Sequence, residues 1–152
     1  MAKSLVAQLG QSIVEIINES NLVVAERVYG FPGAKLEHMD RNAEVYLRSS
    51  VLESPQQDVP HSRGHRFIDV PFDLLLGLRV DGYEIEDVDG ALGLYEVIDQ
   101  HIYEHGKMIA LEATGIKAQW LLSIPGEIVN HDDLRSSKVV QVMGQILYRY
   151  SL

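Results

Sequence analysis

Two histidines, His101 and His105, stand four apart in "ALGLYEVIDQHIYEHG". On an α-helix that spacing puts both rings on one side, where they can grip one metal ion. Zinc or iron would need further ligands, and His61, His65, Glu104 and Asp99 are the nominal candidates. There is no His-Glu-x-x-His pattern, because Ile102, Tyr103 and Glu104 fill the interval. Imidazoles at the polar end of a helix are more often simply solvated, and the helix dipole favours positive charge there.

Carboxylates gather in "DGYEIEDVDG", where Asp81, Glu84, Glu86, Asp87 and Asp89 have no basic residue among them. A calcium loop needs alternating carboxylates, a glycine at the sixth position and a glutamate at the twelfth, and here the ligand count falls short. The stretch reads as a solvated acidic turn with Asp89 capping a helix, or as an acidic surface facing another negative polymer. No G-x-S-x-G elbow and no G-x-x-x-x-G-K-[ST] loop is present, and Gly30, Gly33 and Gly64 form no phosphate-binding pattern. Trp120, Tyr148 and Tyr150 fall on strands without interleaved Lys or Arg, which suits packing better than base stacking. The expectation is a protein that is not an enzyme and carries no cofactor or metal. A small-ligand-binding α+β module, or a metal-dependent enzyme using His101 and His105, stands as the alternative.

The elements that must position these residues belong to one domain spanning residues 1–152, a length that supports a core without disulfides. Cysteine is absent, which removes disulfides, thiolate metal sites and cysteine nucleophiles. The net charge of −9, from 13 Lys plus Arg against 22 Asp plus Glu, argues against tight non-specific binding to nucleic acid. Residues 1 to 20 read neither as a signal peptide nor as a membrane span.

Leu5, Leu9, Ile13, Ile16 and Ile17 recur at helical spacing, so Lys3 to Asn18 is expected to be an amphipathic helix. "NLVVAERVYG" predicts a strand near 22–29, and "AEVYLRSSV" a second. The polar segment "LESPQQDVPHSRG" reads as a long loop arm. "HRFIDVPFDLLLGLRV" is the third strand, with Ile68, Val70, Phe72, Leu74, Leu76, Leu78 and Val80 on one face. A second helix runs through "ALGLYEVIDQHIYEHG", ending at Gly106. "IKAQWLLSIPG" is a strand ending at Pro125–Gly126, and "KVVQVMGQILYRYSL" closes the chain with Gly144 as a gap in its apolar face. The order α-β-β-β-α-β-β, with long loop arms, predicts an α+β fold: two helices flanking a mainly antiparallel sheet.

Sixteen residues of strand reach ~50 Å, far beyond a usual strand. Pro71 in its middle cannot donate to a ladder, so it needs an edge, a bulge or a point where pairing changes. One solution is that the long strand finds its missing partner in a sister copy, with the proline where pairing passes from one partner to another.

Taken together, "SLVAQLGQSIVEII", "HRFIDVPFDLLLGLRV", "ALGLYEVIDQHIYEHG" and "KVVQVMGQILYRYSL", in this order and over most of the chain, resemble the tail-terminator and neck (head–tail joining) proteins of tailed bacteriophages. The resemblance rests on element order and size rather than on a sharp motif. It implies a structural virion protein in the tail or neck, assembled in the host cytoplasm. It further implies a hexameric homo-oligomer that caps the tail tube protein and docks it to the head connector, with no membrane contact. DNA would pass through the lumen without specific binding. Asp81, Glu84, Glu86 and Asp87, clustered at the tip of the long strand, are the candidate lumen lining. Val51, Leu52, Pro55, Val59, Pro60, Pro71, Tyr148 and Tyr150 are the candidate subunit or tube interface.

Overall fold

Helix α1 (Leu5–Glu19) starts where Ser4 turns its hydroxyl back to accept the Ala7 N–H at 3.0 Å. Its apolar stripe buries Val6, Leu9, Ile13, Val14 and Ile17, as the spacing predicts. The computed structural model describes residues 4–31, 43–49, 57–60, 66–80, 84–111, 115–130 and 138–151. Strands β1 (Val24–Arg27), β2 (Ala43–Ser49), β3 (Gln57–Pro60) and β4 (Arg66–Arg79) follow. Then come helix α2 (Ile85–His105) and strands β5 (Met108–Ala110), β6 (Lys117–Ile128) and β7 (Val139–Ser151). The sheet runs β1-β2-β4-β7-β6-β5, with β3 also pairing β4; among the described residues only the β1–β2 pair is parallel. Both helices pack on the sheet, so the architecture is the expected α+β.

The long strand is real, and its partners lie within its own chain. β7 pairs β4 from Phe67 to Arg79. The opposite edge of β4 is shared: β2 pairs Phe72 to Leu78, and β3 pairs Arg66 to Asp69. Pro71 falls in the short gap between those two ladders, so pairing does change hands at the proline. It passes from β2 to β3 of the same protomer, which overturns the idea that β4 needs a sister copy's strand.

Four elements also differ from expectation. β3 lies inside the segment read as a loop arm, and β5 is a short strand that the pattern gave no hint of. α2 begins earlier than Asp89: Glu84 is its N-cap, and the Glu84 N–H donates to the Asp87 carboxylate at 3.2 Å. β6 continues beyond Pro125–Gly126 to Ile128, because a register shift between Ile124 and Glu127 carries the pair across without breaking the ladder.

The core lies between the helices and one face of the sheet. Ile68, Val70, Phe72, Leu74 and Leu76 of β4 and Val140, Val142, Ile146, Tyr148 and Tyr150 of β7 are all buried there. The other face of the sheet is partly covered by a small cluster of Tyr46, Leu75 and Val139, against which Val28, Phe31 and Met143 pack. Beyond them it carries ion pairs: Arg149 is bidentate on Asp69 at 2.6 and 3.0 Å, and Asp73 accepts from Arg48 at 3.0 Å and Gln145 at 2.8 Å. Both aspartates are nearly buried, so these partners are what makes their charges tolerable.

Candidate functional site

The histidine pair exists, but it does not stand alone on its helix. The His101 and His105 rings lie 4.3 Å apart, and His101 Nε2 sits 3.0 Å from the Ile16 carbonyl of α1. One ring nitrogen is therefore used in holding the two helices together. Asp99 is turned to Ser123, whose hydroxyl donates to it at 3.0 Å, and Glu104 accepts from Gln100 at 3.1 Å. His61 and His65 lie outside the described residues. Among the described residues no group of three His, Asp or Glu side chains is placed to hold a metal ion. A shallow open groove of about 450 Å³ runs along α2 past Gly93, Glu96, Val97, Gln100, His101 and Glu104.

The acidic candidates mark a helix start. Glu84 and Glu86 are exposed and Asp87 is half-buried, and all three stand at the N-terminus of α2, where carboxylates complement the helix dipole. Asp81 lies outside the described residues. Of the interface candidates, Val51, Leu52 and Pro55 also lie outside them. Val59 and Pro60 belong to β3, opposite Phe67 and Arg66, and Pro71 marks the change of pairing on β4. Tyr148 and Tyr150 are corrected: they are 0% and 5% exposed, inside the protomer's own core, and offer nothing to a neighbour. The Tyr148 hydroxyl donates to the Gly106 carbonyl at 2.6 Å, tying β7 to the end of α2.

Sequence reasoning missed the seam between α2 and β6, although Gly144 signalled it. The Tyr95 ring lies over Gly126 and Gly144, and a Cβ on Gly144 would overlap its hydroxyl. The gap in the apolar face of β7 is thus a seat for an aromatic side chain. Burial pushes the Tyr95 hydroxyl far above its usual range, with the Asp99 and Asp73 carboxylates adding to the effect. Asp99 lies one turn farther along α2, and burial raises its carboxyl although the Ser123 hydrogen bond pulls the other way. Next along the seam, Tyr103 meets Trp120 edge to face at 4.8 Å, and the Lys107 ammonium sits 4.4 Å above the Tyr103 ring.

The most one-sided feature of the surface is where large apolar side chains stay exposed. Leu22, Val24 and Tyr29 cluster at the β1 edge, and Met108, Leu122, Ile124 and Val129 at the β5–β6 edge, while Ile85 and Val97 lie on α2. β1 and β5–β6 are the two opposite ends of one sheet. Parts of both edges are interrupted as templates for another strand. The Asn18 carboxamide accepts the Ala25 N–H at 2.8 Å and donates to the Ala25 carbonyl at 3.1 Å, closing β1 as a neighbouring strand would. β6 carries Pro125 and two register shifts, devices that discourage edge pairing.

No protein-family model matches this chain, and no curated protein matches it.

Proposed function

We propose that this chain is a structural subunit of a tailed phage that assembles into a closed ring, capping the tail tube and joining it to the head connector. The observation carrying this reading is that, among the described residues, seven of the nine exposed large apolar side chains lie on or beside the strands at opposite ends of a single sheet. Two different patches on opposite ends favour head-to-tail association, and a head-to-tail contact whose rotation closes gives a ring. The α+β architecture with two helices on a mainly antiparallel sheet agrees with the tail-terminator resemblance. Contact between copies through side-chain patches replaces the strand sharing that the sequence suggested.

In this reading Glu84, Glu86 and Asp87 line the lumen, where carboxylates repel passing DNA and prevent sticking. The reaction chemistry of an enzyme is not needed, and tube protein and connector are its partners. Light scattering after size exclusion, with negative-stain images, tests the proposal. A ring of six copies with a central opening, stabilised by tail tube protein, is the expected result. A monomer that stays monomeric at high concentration and ignores the tube protein would overturn it.

A further inference from the structure

We infer that the outward stripe of α2 is a docking surface for a basic helix of another protein. Among the described residues, Ile85 and Val97 are the exposed large apolar side chains that belong to neither sheet end, and both lie on this helix. Gly90, Gly93, Val97, Gln100 and Glu104 follow one another at alternating spacings of three and four. That keeps them on one side of the helix and is the spacing of a helix–helix seam. Ala91, Tyr95, Ile98 and Ile102 face the other way, into the core. The shallow groove of about 450 Å³ runs along the stripe from Gly93 to Glu104.

The protomer's own packing does not explain the two glycines. A glycine inside a helix is less stable there than alanine. At Gly10, Gly126 and Gly144 a Cβ would press on Arg27, on Val142 and on Tyr95, so the fold needs those positions bare. At Gly90 and Gly93 a Cβ would meet nothing within 4 Å among the described residues. The room they leave serves a neighbour from outside, and bare backbone lets another helix come close. Charge says what sort of helix. Neither α2 nor α1 contains a Lys or Arg. Asp89, Glu96 and Glu104 are exposed beside the stripe, and the hydrogen bond that Glu104 accepts comes from the neutral amide of Gln100. Among the described residues the Arg–Asp ion pairs lie on the sheet, Asp69 with Arg149 and Asp73 with Arg48. Lys107, beyond the end of α2, is held over the Tyr103 ring on the flank that meets Trp120 of β6. A second copy of this face would set carboxylate against carboxylate, whereas lysines or arginines flanking small side chains match it in shape and sign.

The probe is a synthetic helical peptide of about 18 residues, with alanines at the same spacing along one face and lysines beside them. One control replaces lysine by glutamate, and another keeps the charge but scrambles the order so that no alanine face forms. Fluorescence anisotropy against the full chain at fixed salt should show the basic helix bound about tenfold or more tighter than either control. Gly93→Leu fills the groove and should weaken that binding about tenfold. Its melting temperature should nevertheless rise by ~2–4 °C, because a poor helix former is replaced in open space. E96K/E104K should weaken the basic helix and favour the glutamate one. No saturable binding of the basic helix, equal binding of its scrambled form, or wild-type binding by Gly93→Leu overturns the proposal. So does self-association that Gly93→Leu abolishes, which would assign the face to a second copy. The ring uses the sheet ends and is tested by assembly, so either proposal can fail alone.

Discussion

The two helices cover the same sheet by different means. α1 has fifteen residues and buries seven, all apolar or glycine, against β1 and β2. α2 has twenty-one and buries four, Ala91, Tyr95, Ile98 and Ile102, against β6, β7 and β4. The side chains α1 buries are apolar, with the Phe72 ring and the Arg27 side chain packed against Gly10 beneath it. The seam beneath α2 holds a tyrosine hydroxyl, an aspartate and a serine, and it depends on two glycines to admit one ring. The first half is held by apolar area and the second by fit, so they should fail differently when altered.

Area is the stronger of the two. Ile13 is fully buried at the centre of the α1 face, and truncating such a side chain removes its transfer energy and leaves a cavity. Ile13→Ala is expected to cost ~2–5 kcal/mol in urea or thermal unfolding. A loss well below that would mean the sheet end under α1 is looser than its burial indicates, and the contrast between the halves would disappear.

Fit is tested at Gly144. Even alanine there would overlap the Tyr95 hydroxyl, so Gly144→Ala is expected to destabilise by ~1–3 kcal/mol. Tyr95→Phe removes the oxygen that meets the new methyl group, and the double variant should recover part of the loss. Strict additivity of the two changes, measured as a double-mutant cycle, would show that the ring is not what the glycine accommodates.

How much of this was readable in advance follows from what each signal encodes. The alternation in "HRFIDVPFDLLLGLRV" and the 3.6-residue stripe of α1 report one buried face each, and both elements form there. Pro71 correctly marked a change of pairing, but a proline says nothing about whether the next partner is in the same chain. β3 and β5 are too short for periodicity to show, and the apolar character of β7 could not separate core tyrosines from interface tyrosines. Gly144 gave a vacancy without naming its occupant, since Tyr95 is 49 positions away in sequence and meets it only after α2 docks. The exposed Leu122 and Ile124 became visible only once the sheet order placed β6 near an end.

A smaller effect sharpens the account of the α1 half. Asn18 is the side chain through which α1 closes the β1 edge, making two hydrogen bonds to Ala25. Asn18→Ala leaves one amide and one carbonyl in need of water, at a cost of ~1–2 kcal/mol. The same substitution reopens a strand edge, so the variant should also aggregate more readily on warming. Unchanged stability and solubility would mean that water replaces the carboxamide without penalty.

The smallest expected effect separates the halves by pH. Burial raises the Asp99 carboxyl above the ordinary aspartate value of 3.8, so the folded protein holds that proton more tightly than the unfolded chain. The stability that protonation contributes is complete below 3.8 and is lost as pH rises through the raised folded value. Once ionised, the carboxylate sits unfavourably beneath α2, partly screened because the group is not deeply buried. Asn keeps an oxygen for the Ser123 hydroxyl and carries no charge. Asp99→Asn should therefore melt higher at pH ~7, by no more than about 4 °C, with the advantage shrinking as pH falls toward the unfolded value. Nothing comparable is expected from the α1 face, where the buried side chains do not titrate. A difference between variant and wild type that stays constant across that range would show that the carboxylate is solvated rather than penalised, and the polar seam would then be as indifferent to charge as an exposed surface.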